Sequence, residues 1–196
     1  MPGDESHYKM EPLIRREWRE SDRIKNKNPK QAAVLALFYP NANHETQLLL
    51  ILRKTYQGVH SNQIGFPGGK VEKDDKSLMD TALRETFEEV GVLQNDVEVL
   101  KLLTEVYIPP SNFLVQSFIG LYKNPKPFVI QEDEVEALVE VKLTDFLDEK
   151  NKIEQQLSTS YAKNILVPAF KLNGYTVWGA TAMMLNEIKD LLNKVL

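Results

Sequence analysis

Residues 65–92 read GFPGGKVEKDDKSLMDTALRETFEEVGV, and the rest of the chain is best understood from them. The stretch opens on a glycine-proline loop, Gly65 to Gly69. Two adjacent glycines there let the backbone come close to a ligand or metal. A helical pattern follows from Ser77 to Val90. Ser77 is placed to cap its start and Gly91 to end its last turn. Glu85, Glu88 and Glu89 stand at i, i+3 and i+4, so one side of the helix carries all three. Near a helix C-terminus, three like charges repel one another and gain nothing from the dipole. A hard divalent cation makes sense of them, since Mg²⁺ favours carboxylate oxygens and substrate phosphates. A solvated acidic face is the plain alternative for a bare E-x-x-E-E. Met79, Ala82, Leu83, Thr86 and Val90 recur at helical spacing and are predicted to pack on a core.

The full string, two glycines, a spacer and then R-E-T-F-E-E-V-G-V, resembles the Nudix box, R-E-U-x-E-E-x-G-U with U a bulky aliphatic residue. Arg84, Glu85, Glu88, Glu89, Gly91 and Val92 fit it. Thr86 fills a U position, Asp75 stands where a Glu is expected, and the spacer is one residue longer than usual. The longer spacer resembles the coenzyme A pyrophosphatase branch. The approach to the box is similar to a second signature of that branch: an apolar strand ending in Arg, a loop with a basic residue, His-x-x-Gln, then F-P-G-G. Arg53, His60, Gln63, Phe66, Pro67, Gly68 and Gly69 match in register. Gly58 replaces the loop Arg and Asn62 replaces a Gly. An Arg in that loop is suited to a phosphate, so its loss bears on the substrate.

Outward from this centre, Gln31–Tyr39 reads as a buried strand and Gln47–Lys54 as its hairpin partner. Residues 96–107 alternate as one partly buried strand. Strands are predicted at 113–122 and 135–141, and a short helix at 143–149 capped by Thr144. Residues 150–164 carry no assignable pattern. Asn173-Gly174 joins strands 165–172 and 175–178, because both residues tolerate positive φ. Residues 179–196 form an amphipathic helix, and its W-G-A-T-A entry also resembles the coenzyme A branch. Residues 1–30 are read as a polar, helical extension before a domain of residues 31–196. From Pro12 to Lys30 it holds seven basic residues, with Leu13, Ile14, Trp18 and Ile24 roughly on one face, and reads as a solvated amphipathic helix, with a patch for a phosphate-bearing ligand as the alternative.

Composition bounds the function classes. A net charge of −4 argues against a nucleic-acid or anionic-membrane partner. With no cysteine, disulfides, thiolate metal sites and a cysteine nucleophile are excluded. No apolar run has the length of a membrane span, and MPGDESHYKM lacks the apolar centre of a signal peptide, so a cytoplasmic protein is expected.

The resemblance implies an α+β Nudix fold, a mixed sheet sandwiched between helices. It implies Mg²⁺ or Mn²⁺ held by Glu85, Glu88 and Glu89, with the Gly69 carbonyl as a further ligand. Arg84 orients a box glutamate or stabilises charge, and Glu88 is either a ligand or the general base. Glu134, in a D-E-V pattern before a strand, is similar in position to the further acid that faces the box helix in this branch. Arg53, His60, Gln63, Phe66 and Gly68 are the substrate-binding candidates. The implied substrate is a small nucleotide, coenzyme A or a derivative. ADP-ribose or another nucleoside diphosphate derivative is the second reading, and a non-catalytic nucleotide sensor the third.

Overall fold

The computed structural model describes residues 3–12, 28–54, 62–157 and 164–196. Its centre is β1 (Lys30–Pro40), whose two faces are both buried. Ala33, Leu35, Leu37 and Tyr39 point into one apolar layer, and Ala32, Ala36 and Phe38 into the other. That double burial is why the strand reads as one continuous apolar run rather than an alternation. β2 (Thr46–Arg53) pairs antiparallel with β1. The glycine loop forms two short strands, β3 (Ile64–Gly65) on β2 and β4 (Gly68–Lys70) on β1. Next come α2 (Leu78–Val90), β5 (Glu98–Leu102), β6 (Val106–Ile108), β7 (Phe113–Leu121) and β8 (Val135–Lys142). An earlier short helix, α1, spans Gly3–Lys9.

β1 and β7 run parallel, and the sheet order is β3-β2-β1-β7-β5, with β4, β6 and β8 attached to β1, β7 and β2. A short helix α3 (Leu143–Leu147) leads to a second sheet of β9 (Lys152–Leu157), β10 (Ile165–Leu172) and β11 (Tyr175–Trp178). The chain ends on α4 (Gly179–Leu192). One layer of core lies between the mixed sheet and α2, and the other between that sheet, α4 and the second sheet. This is the expected mixed sheet sandwiched between helices. Asn173 and Gly174 turn the β10–β11 hairpin with φ of 47° and 84°.

Several expectations change in detail. Met79 is 40% exposed, and Thr81 takes the buried place on that turn of α2. The strand expected over 96–107 is broken into β5 and β6. The Thr104 N–H between them leaves the ladder and donates to the Glu187 carboxylate on α4. Thr144 lies inside α3; Lys142 precedes the helix and gives it no side-chain cap. The unassigned 150–164 contains β9, which pairs with β10. Trp18 and the basic stretch 13–27 lie outside the described residues, as do Gly58 and His60.

Candidate active site

The site forms where the C-terminal end of β2, the β3–β4 glycine turn, α2 and the loop before β8 meet. α2 is fixed at both ends by the residues that its sequence suggested. Ser77 Oγ accepts the Asp80 N–H at 3.1 Å. Gly91 takes φ 75° and donates to the Phe87 carbonyl at 2.8 Å.

At 100° per residue, Glu89 stands 40° around the helix from Glu85, and Glu88 stands 60° to the other side. The structure separates them accordingly. Glu89 is fully buried, Glu85 half-buried and Glu88 exposed. Carboxylate oxygens of Glu85, Glu89 and Glu134 all lie within 4.8 Å of one another. Glu134 arrives from the turn before β8, whose backbone is pinned by Lys54 N–H donating to the Glu134 carbonyl at 2.8 Å. The Gln131 N–H reaches the Glu89 carbonyl at 3.0 Å and ties that turn to α2. Glu88 lies outside this group and pairs with Arg84 Nη1 at 2.8 Å.

The arginines hold the acids. Arg84 grips Asp75 through Nε–Oδ1 at 2.9 Å and Nη2–Oδ2 at 3.0 Å, and its Nη1 meets Glu85 at 3.0 Å. The planar fork of Arg84 thus pairs with both oxygens of Asp75. Hydrogen bonds from Arg84 hold the Asp75 carboxyl well below its ordinary range. Arg53 Nη1 donates to Glu89 Oε1 at 3.2 Å, and its Nη2 donates to the Gly68 carbonyl at 2.6 Å. Gly68 N–H completes the set on Glu89 Oε2 at 2.7 Å. Burial pushes the Glu89 carboxyl up to about 7, with the charges of Glu85 and Glu134 adding to it against Arg53 and Gly68. Burial likewise pushes Glu85 up.

The glycines are there for space. A Cβ on Gly68 would lie 2.3 Å from the Ala33 carbonyl, and one on Gly69 would lie 2.4 Å from Glu85 Oε2. Of the substrate-binding candidates, Phe66 buries its ring in the core with 2% exposure, so that ring has no face to offer a ligand. Arg53 is engaged within the protein. Gln63 is half-buried, and its carbonyl accepts the Arg53 N–H at 3.0 Å. Asn62 takes φ 55°, the left-handed conformation that glycine adopts freely and asparagine tolerates. The pairing of Asp75 with Arg84 and the inward use of Arg53 were missed from sequence, because neither spacing nor composition shows which acid an arginine will reach.

Residues 29–161 match the NUDIX domain family. The chain belongs to the Nudix family. It is a pyrophosphatase-type hydrolase, and Nudix hydrolases generally depend on divalent metal. A Nudix hydrolase of Pectobacterium atrosepticum, NudL, is 32% identical over 164 residues, covering 81% of each chain. The peroxisomal coenzyme A diphosphatase ndx-8 of Caenorhabditis elegans is 28% identical, covering 82% of this chain and 68% of its own. Nudix hydrolase 15, mitochondrial, of Arabidopsis thaliana is 30% identical; the match covers 85% of this chain but 59% of that relative's length. Among solved structures, a MutT/nudix family protein of Enterococcus faecalis superposes with a TM-score of 0.57 at 17% identity, covering 92% of this chain and 68% of the other. No described helix is long and apolar enough to cross a membrane. The relatives' names include peroxisomal and mitochondrial forms, so the family does not dictate the cytoplasmic location expected from sequence.

The carboxylate group fits the metal of this family. It gathers oxygen donors of one charge, one of them fully buried, beside a glycine whose missing Cβ leaves room for Glu85. Hard divalent cations select such donors.

Proposed function

We propose that this Nudix hydrolase cleaves the diphosphate of coenzyme A or a close derivative, giving 3′,5′-ADP and 4′-phosphopantetheine or its acyl form. The observation that carries this reading is the conformation of Asn62. Its positive φ is one that glycine also adopts freely, so Asn62 and the glycine of the coenzyme A signature are compatible with the same backbone conformation at this position. The relative named a coenzyme A diphosphatase supports it.

In this reading Glu85, Glu89 and Glu134 hold Mg²⁺ or Mn²⁺, with the Gly69 carbonyl available to it. When bound, such a cation would neutralise phosphate charge and favour deprotonation of the attacking water. Arg84 fixes Glu85 from the Asp75 side and keeps Glu88 at the rim. Glu88 or Glu134 accepts the proton of the attacking water. The water oxygen bonds to phosphorus, the bridging P–O bond breaks, and two monophosphates leave. Gln63 and, by the resemblance alone, His60 are the substrate-binding candidates in this reading.

Mass spectrometry of products after incubation with coenzyme A and Mg²⁺ or Mn²⁺, beside ADP-ribose, tests this. Release of 3′,5′-ADP and 4′-phosphopantetheine faster than cleavage of ADP-ribose is expected. It should stop with chelator and in Glu89→Gln. Consumption of ADP-ribose with coenzyme A intact would assign the replacement at Gly58 to a different nucleoside diphosphate substrate. Metal-dependent binding with no product would make the chain a sensor.

A further inference from the structure

Arg53 closes a circuit of hydrogen bonds behind the acidic group. Its Nη1 donates to Glu89 Oε1 at 3.2 Å, and the other Glu89 oxygen takes the Gly68 N–H at 2.7 Å. The Gly68 carbonyl returns to Arg53 Nη2 at 2.6 Å, and the Phe66 carbonyl meets the same nitrogen at 3.4 Å. One planar group thus ties the last turn of α2 to the turn between β3 and β4. Arg53 is itself anchored, since its N–H donates to the Gln63 carbonyl at 3.0 Å. The contact is largely shielded: the Arg53 side chain is 25% exposed and that of Glu89 1%.

We propose that Arg53 is a positioning residue, which aims the Glu89 carboxylate at the cation and fixes the backbone leading into Gly69, and is not a contact of the substrate phosphates. The inference rests on the metal-dependent reading above. Two features of the geometry point to it. The fork serves one acid and two carbonyls at once, which the single ammonium of a lysine does not reproduce. Its direction of use is also inward, toward the backbone on which Gly69 sits, and its hydrogen bonds hold the orientation of the Gly68–Gly69 peptide. Arg84 does the matching work on the other flank, from Asp75 to Glu85. The two metal-facing glutamates of α2 are therefore each held by an arginine, one from β2 and one from α2 itself.

The test is Mn²⁺ binding, read by electron paramagnetic resonance on chelator-stripped protein without substrate, for wild type, Arg53→Lys and Arg53→Gln. Partners behind a metal ligand typically change metal affinity by about 10–100-fold. Arg53→Lys is expected to bind Mn²⁺ at least about tenfold more weakly, within that range. Its kcat should fall while KM on the better substrate moves less than about threefold, the pattern of a group acting through the ligand. Unchanged Mn²⁺ affinity with a KM raised about tenfold would make Arg53 a substrate contact and overturn the proposal. If wild type itself binds no Mn²⁺, the metal-dependent reading falls and this inference with it. If wild type binds and Arg53→Lys binds equally well, only the inference falls. Should both variants fail to fold, the guanidinium resonances of Arg53 in the wild type decide. Movement on adding Mg²⁺ alone supports positioning. Movement only on adding coenzyme A without metal overturns it.

Discussion

Two neighbouring glycines make opposite predictions because different atoms occupy the space of their missing Cβ. At Gly69 the obstruction is the carboxylate of Glu85, the far end of a flexible side chain. Gly69→Ala is therefore expected to fold, with its melting temperature close to wild type, while Glu85 swings away from Glu89 and Glu134. Activity and Mn²⁺ affinity should fall by about tenfold or more, as for loss of a group supporting a metal ligand. At Gly68 the obstruction is backbone, the Ala33 carbonyl at 2.3 Å, and φ is 143°. Gly68→Ala should lose on the order of 2–3 kcal/mol of stability from strain and overpacking. Thermal melts and Mn²⁺ titration of the two variants separate the effects. A Gly69→Ala protein with intact metal affinity would mean that Glu85 does not need its present position. The motif made both glycines legible as close approaches, but not what approaches each. The same limit applied to Arg53. Its residue type and place were readable, while its use on Glu89 depends on how β2 and α2 meet.

At the scale of elements, β1, β2, β7, β8 and α2 were readable from apolar runs and caps, because their own residues supply most of what holds them. α1 was not. Its buried positions include Ser6 and His7, polar residues that periodicity assigns to solvent. Their partners lie at the other end of the chain. His7 Nε2 meets Glu187 Oε2 at 2.9 Å, Ser6 bonds to Asp190, and Asn186 Nδ2 donates to the Ser6 carbonyl at 2.9 Å. Glu187 also receives Thr104, which is why the strand expected over 96–107 breaks there. His7→Ala would leave a buried carboxylate short of a partner and is expected to cost about 1–3 kcal/mol. Burial pushes the Glu187 carboxyl up, but hydrogen bonds from His7 and Thr104 outweigh it and leave the group below its ordinary value. A depressed carboxyl contributes stability that is complete above the unfolded value, about 4.3, and is lost as pH falls through the folded one. Melting temperatures from pH 6 to 3 should therefore fall more steeply in wild type than in Glu187→Gln. Parallel curves would show that this node is not what acid releases.

Over the whole molecule, the opposite sign appears at the site. The sheet and α2 enclose Glu89 completely, and burial, with the nearby Glu85 and Glu134, pushes its carboxyl up to about 7. A raised folded value means that the stability is fully present below the unfolded value, near 4.3, and is lost as pH rises toward 7. The fold thus bears a cost at neutral pH, on the order of 2–3 kcal/mol, to keep an ionised carboxylate under cover. A packed core alone gives no reason for that arrangement; a divalent cation, by supplying the missing charge, does. Chelator-treated protein is expected to lose melting temperature between about pH 4.5 and 7, the window set by that raised carboxyl. Mg²⁺ or Mn²⁺ should restore it, with a larger gain at pH 7.5 than at pH 5, because only the ionised carboxylates bind the ion. Glu89→Gln removes the titrating charge, so it should flatten the metal-free slope and abolish most of the gain. A slope unchanged in Glu89→Gln would move the cause to Glu85, which burial also raises. A slope that rises with pH in the wild type would show that Arg53 and the Gly68 N–H outweigh burial at Glu89.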